Sequence, residues 1–282
     1  MTGVVKTGTA SGQVFLPLLI TAMVAGFGWR QSLLMLGIVA AILLVAIAQM
    51  MQRKPFESSS GVVTESKKIS SESDSRVEDR TGLSMSEARR GRVLWTLCAI
   101  EFCFFPALTT VTLHMVAHAT DMGMTTAKAA TILSVIGGSS IVGRLAVGLL
   151  LDKLGGKGAM VICFVLLSLA LFALLFTRTP GLLYLLAPFY GIAHGGLFTV
   201  VSPIVAEYFG LREHGAIFGW VIFFGTLSGA SGPLLAGMVY DKHGSYTIAF
   251  GSLFMLCVVG LVLALSLPRP AQIVSSSSAA ST

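Results

Sequence analysis

The sequence predicts an all-α, polytopic membrane protein of about eight transmembrane helices. Three observations predict it. Hydrophobic residues make up 54% of the chain and charged residues only 11%, where a soluble domain is about one quarter charged. Eight apolar runs are each long enough to cross a hydrocarbon layer of about 30 Å, which takes about 20 helical residues. The basic residues collect between these runs, so the net charge of +6 marks loops beside a membrane and not a nucleic-acid surface.

The runs cover approximately residues 8–27, 31–51, 93–117, 127–151, 158–177, 181–209, 214–240 and 246–267. The first holds Pro17 and several glycines and is long for the apolar region of a cleaved signal. The turn Gly28-Trp29-Arg30 joins it to the second and places an indole at headgroup level. Residues 52–91 hold 15 of the 32 charged residues and are rich in serine, the composition of a flexible, solvated linker. Within them, Ser84-Met85-Ser86-Glu87 has the capping-box pattern that starts a short surface helix. The tail from Pro268 ends in a low-complexity serine and alanine stretch and reads as disordered. Cys98, Cys103, Cys163 and Cys257 lie inside apolar runs without paired spacing, and read as packing residues rather than disulfides or metal ligands.

The chain repeats itself. The spacing of Gly143, Gly148, Asp152, Lys153 and Gly155 recurs 89 residues later at Gly232, Gly237, Asp241, Lys242 and Gly244. Numbering the faces alternately puts fourteen basic residues on one side and four on the other, with Arg144 inside a span. The face with fourteen should be cytoplasmic, which puts the linker 52–91 and the C-terminus there. The two spans of the repeat then run in opposite directions, the three-plus-three arrangement of a transporter half. A second repeat, at an offset of 216, pairs Pro17 with Pro233 and Gly28 with Gly244 on spans that run the same way. Residues 1–51 therefore read as the last two helices of an incomplete N-terminal half. Residues 52–91 are a cytoplasmic linker, 92–267 a complete six-helix half, and 268–282 a cytoplasmic tail. On this reading four helices precede Met1.

Gly148, Asp152, Lys153, Gly155, Gly156 and Lys157 resemble the loop signature G-x-x-x-D-[RK]-x-G-[RG]-[RK] of the major facilitator superfamily. The resemblance covers about 1–51 and 92–267. Within the superfamily the chain is most similar to the branch of monocarboxylate porters and oxalate/formate antiporters. The similar stretches are Lys6 to Gly12, His114 ahead of Asp121-Met122-Gly123, Gly143-Arg144, and Gly232 to Gly237 followed by Gly244-Ser245-Tyr246. The resemblance implies a secondary transporter of a small organic anion, with no enzyme activity and no cofactor. It also implies that Gly148, Asp152, Lys153, Gly155 and Lys157 form a conformational gate. A carboxylate at the C-terminal end of its own helix opposes that helix's dipole, so Asp152 is expected at the start of the span near Glu213-His214-Gly215.

Four residues are candidates for binding the substrate. Arg144 lies about 12 Å inside the cytoplasmic end. A guanidinium fork matches a carboxylate, and an arginine at this place binds the substrate carboxylate in the similar branch; a gate residue is the alternative. One turn earlier, where animal monocarboxylate porters carry an aspartate, this sequence has Ser140. The run 214–240 lacks the lysine that oxalate antiporters carry there. Glu101 is the one acid well inside an apolar run. It fits a proton carrier, a counter-ion for Arg144, or a structural carboxyl bonded to a neighbouring helix. His194, flanked by glycines, fits a cavity ligand or proton relay as well as a packed histidine. His114, with His118 one turn on, belongs to an outer vestibule or to packing. Only Asp121 lies near enough to act as a third ligand, so no metal site is expected. The expected function is alternating-access transport of a monocarboxylate, with protons as a candidate coupling ion, in the cell membrane. The rival expectation is a non-transporting relic or sensor built on a carrier fold.

Overall fold

A computed structural model describes residues 2–50 and 82–268. The described residues form helices α1 (Thr2–Met50), α2 (Met85–Arg90), α3 (Arg92–Asp121), α4 (Thr126–Leu175), α5 (Pro180–Phe209), α6 (His214–His243) and α7 (Thr247–Ser266). Two of these are pairs of spans joined without a loop. Gly28 breaks α1 at φ 76° and Gly155 breaks α4 at φ 69°, a left-handed backbone that glycine adopts without a Cβ clash. Six long helices therefore carry the eight apolar runs. Most of the linker and the tail lie outside the described residues. The chain separates into two compact units, residues 19–80 and residues 1–18 with 81–282.

In the second unit, α5 lies along α4, α6 lies along α3, and α7 packs on both α3 and α4. Lipid tails are as apolar as leucine, so helix association in a bilayer rests on close packing and polar contacts. The α4–α5 seam shows how close. A Cβ on Gly143 would stand 2.1 Å from the Ile192 carbonyl oxygen, and one on Gly195 2.1 Å from that of Ser140. Gly225, Gly229 and Gly232 do the same for α6 against α3, where they receive Phe105 and Pro106. Gly215 and Gly219, which share the spacing, meet nothing within 4 Å. Small residues four apart permit approach but do not choose a neighbour.

Proline gaps are filled from the next helix. Pro233 has no N–H for the carbonyl of Gly229, and Thr109 Oγ1 donates to that oxygen at 2.8 Å. The four cysteines are buried and free. Outward faces are apolar, with Leu149, Leu169 and Met238 exposed, as suits a surface solvated by lipid.

The end of the linker is pinned. Ser84 and Glu87 form the reciprocal capping box on α2, and these hydrogen bonds hold the Glu87 carboxyl below its ordinary pKa. Leu83 N–H donates to Phe209 O at 2.8 Å, and Met85 N–H donates to Glu213 Oε2 at 2.7 Å. Arg89 stacks over Trp220 at 5.2 Å. Residues 82–90 are thus fastened across the α5–α6 turn.

The seams set a stability prediction. Gly195→Ala forces the α4 and α5 backbones apart and should cost about 3 kcal/mol, at the upper end for overpacking. Gly219→Ala should be neutral or stabilise by about 0.5–1 kcal/mol, because a helix interior prefers alanine. Thermal unfolding of the purified protein separates the two.

Candidate functional site

The first segment of α4 carries Ser140 and Arg144 on one face, one turn apart. Both are buried at the α5 seam, Ser140 at 0% and Arg144 at 3% exposure. Arg144 Nε donates to Ser140 Oγ at 3.4 Å. Ser140 Oγ lies 3.4 Å from Nδ1 of His194 on α5, which is also buried. The close approach at Gly195 brings these groups within reach. The Arg144 guanidinium sits 5.9 Å over the ring of Phe198, and the His194 ring packs against the same ring at 5.0 Å. Tyr190 packs on His194 from the other side, and its hydroxyl donates to Ala107 O at 3.0 Å, tying α5 to α3.

The aromatic contacts continue onto α3. Phe198 meets Phe105 with ring centroids 5.3 Å apart. One turn before Phe105, Glu101 is buried with its carboxylate against α6: Oε2 lies 3.0 Å from where a Cβ of Gly225 would stand. Sequence reasoning flagged Arg144, His194 and Glu101 singly. The fold places Arg144 and His194 around Ser140, and Phe198 with Phe105 links that group to the helix of Glu101. The chemistry offered is a guanidinium, a hydroxyl and an imidazole beside aromatic rings, away from water. Such a set suits a small anion with an apolar remainder.

His114 lies elsewhere. Thirteen residues along α3 put it about 20 Å from Glu101, toward the far end of the bundle. Its Nδ1 pairs with the Tyr246 hydroxyl at 3.2 Å and its Nε2 with the Pro233 carbonyl at 3.0 Å. It joins α3, α6 and the start of α7.

The DKLGGKG turn divides by function. Gly155 makes the break in α4, and Gly156 N–H donates to Glu207 Oε2 at 2.7 Å. Lys157 Nζ donates to the carbonyls of Leu265 at 2.8 Å and of Leu267, closing the end of α7. Gly156 and Lys157 bind the second segment of α4 to α5 and α7. Asp152 and Lys153 are exposed, and Gly148 faces open space. Among the described residues no hydrogen bond or ion pair joins Asp152 to the start of α6. The reason is the packing order: α6 lies along α3, not along α4, and the Glu213 carboxylate at its start is turned to Met85.

Glu207 was missed. The available signal was an acid at the C-terminal end of an apolar run, where its own helix dipole disfavours it and a partner is required. Phe198, Phe105 and Tyr190 gave no signal, since aromatic residues in a span are usually packing.

Comparison with known proteins decides the family. The model of the Major Facilitator Superfamily matches residues 1–181 and 140–281. The chain belongs to the Major Facilitator Superfamily. The superfamily is one of membrane transporters, not of enzymes. The chain is 25% identical over 280 residues to monocarboxylate transporter 12 of Rattus norvegicus, covering 92% of this chain and 57% of that protein. It is 33% identical over 158 residues to monocarboxylate transporter 13 of the same organism, covering 54% and 36%. The chain thus spans little more than half of the first relative and about a third of the second. The fold resembles the E. coli fucose:proton symporter FucP, with a TM-score of 0.58 at 17% identity, covering 84% of this chain and 56% of that one.

The two parts of the turn should respond differently to mutation. Glu207→Ala strands a buried N–H and should cost about 1–3 kcal/mol. Asp152→Asn, on an exposed side chain, should change stability by less than about 0.5 kcal/mol. Thermal unfolding of the two variants side by side checks this.

Proposed function

We propose that this superfamily member takes part in moving a small organic anion, a monocarboxylate, across the membrane by alternating access. The observation that carries the reading is the buried Arg144–Ser140–His194 group beside Phe198. An ionisable side chain in a span is costly and marks a functional site. The names of the rat relatives agree with a monocarboxylate. In this reading Arg144 holds the carboxylate through its planar fork, while Ser140 and His194 orient the guanidinium. Phe198 and Phe105 exclude water and accept the apolar remainder. The exposed Asp152 and Lys153, beside the open face at Gly148, are presented to the gate. The positive-inside pattern supports a cytoplasmic linker face.

Uptake of radiolabelled monocarboxylates into vesicles tests the binding role. Arg144→Lys keeps the charge and loses the fork. It should cut uptake at least about tenfold, the effect of losing one charge-assisted hydrogen bond of roughly 1.5–3 kcal/mol, with membrane insertion intact. Unchanged uptake would sink the role of Arg144.

Coupling to protons is assigned to Glu101, a buried carboxyl on the helix that packs along α6. Glu101→Gln mimics the protonated side chain at equal volume. Uptake by the native protein should rise as the outer pH falls. The variant should lose that dependence and keep anion exchange between the two faces. A variant that retains the native pH dependence would remove Glu101 from the coupling path.

A further inference from the structure

A cavity of about 310 Å³ lies between α3, α6 and α7, and none of the Arg144, Ser140, His194 and Phe198 group lines it. Its floor includes Pro106 and Gly232, and its rims include Leu235, Val239 and Leu256. Three serines line it, and each hydroxyl is already committed to its own helix. Ser228 donates to Gly225 O at 2.9 Å, Ser231 to Ser228 O at 2.8 Å and Ser252 to Ala249 O at 2.7 Å. The groove offers hydrocarbon and no unspent donor. Such a cavity stays dry and takes an apolar occupant.

Its place in the bilayer selects the occupant. Along α6 the lining runs from Ser228 to Val239, about 16 Å at 1.5 Å per residue. Half of a hydrocarbon core is about 15 Å deep. The groove therefore spans one leaflet, from mid-membrane to the end of the bundle away from the linker. The lining stripe of α6 then continues. Three and four residues beyond Val239 stand Lys242 and His243, on the same face and exposed. Asp241, the acid between them and Val239, falls on the opposite face at 3.6 residues per turn.

We propose that this groove binds one acyl chain of a phospholipid from that leaflet, with the headgroup phosphate on Lys242 and His243. The chain fills the space that α6 and α7, which touch each other only lightly, leave between them. It would wedge α6 against α7 beside the α3–α6 contact of Pro106 and Gly232.

The test uses the full chain in phospholipid nanodiscs doped with a phosphatidylglycerol carrying a diazirine in one acyl chain. After irradiation the adducts are mapped by mass spectrometry. Labelling is expected to concentrate on residues 228–239 and 249–256, above the level at the exposed Leu149 and Leu169. Ser231→Phe with Ser252→Phe fills the groove and should abolish that excess. Leu149→Phe should leave it. Lys242→Gln should lower it about fivefold, the weight of one lysine at a phosphate surface, and a diazirine diacylglycerol without phosphate should show no dependence on Lys242. Ser231→Ala, which keeps the groove open, should label as the native protein does and shows that the phenylalanine variants report filling. Even labelling of all outward faces, or a groove covered by a second copy or another segment of the chain, would overturn the proposal.

Discussion

Close contact between the backbones of α4 and α5 is the constraint on which the rest of this bundle depends. A bilayer gives two helices no hydrophobic reason to associate. Association rests on dispersion and polar contacts, and both fall off steeply with distance. Gly143 and Gly195 bring the two backbones together where any side chain would collide. Only at that distance does Ser140 reach both Arg144 and His194. The polar group is a consequence of the glycines, and it returns part of the favour: a hydroxyl bridging two helices fixes their register as well as their spacing.

The same economy appears at the DKLGGKG turn. Seven consecutive residues do two jobs. Gly155 supplies a left-handed break, Gly156 presents an N–H to Glu207, and Lys157 closes the last carbonyls of α7. These contacts make the turn rigid within its own bundle. Asp152 and Lys153 make none of them and stay at the surface. A rigid turn that carries two exposed charges is suited to meet something outside the bundle, because the charges are positioned before any partner arrives. The glycine at 148, with open space beside it, leaves room for a helix to approach.

Much of this was legible in the sequence, and the failures have physical causes. The eight spans follow from apolar length alone, and the breaks at Gly28 and Gly155 follow from glycine between apolar runs. The capping box at Ser84 and Glu87 is local, so its four-residue pattern was enough. Arg144, His194 and Glu101 stood out because burying a charge or an imidazole demands a reason. Their grouping did not, since His194 lies fifty residues after Arg144 and meets it only through the helix seam. Among the described residues, Gly215 and Gly219 carry the spacing of Gly225 and Gly229 without meeting a neighbour, because spacing constrains one helix and a contact needs two. The start of α6 was named for Asp152 by a dipole argument, which gives a kind of partner, and the packing order sets α6 along α3 instead of α4. Glu207 escaped because its partner is a backbone N–H, which leaves no trace in composition.

The α3–α6 seam differs from the α4–α5 seam in a way that bears on motion. The buried residues of α6 are Ile217, Val221, Gly225, Ser228, Gly229, Gly232 and Ala236, and its glycines among them face α3. Among the described residues the opposite side of the helix carries no comparable interface. Across the seam, Thr109 supplies the carbonyl freed by Pro233, and His114 reaches the Pro233 carbonyl itself. Polar contacts therefore cluster where the α6 ladder is interrupted, while glycines keep the rest of the seam smooth. A helix attached along one face, with a proline at the point where a neighbour holds it, is built to pivot there. The helices of the other seam meet backbone to backbone and share a buried polar group, which fastens them to one another more firmly. Any rearrangement of these helices is thus expected to divide them between α4 with α5 on one side and α6 on the other. Glu101 and Phe105, at the boundary between those sets, are placed to feel it first.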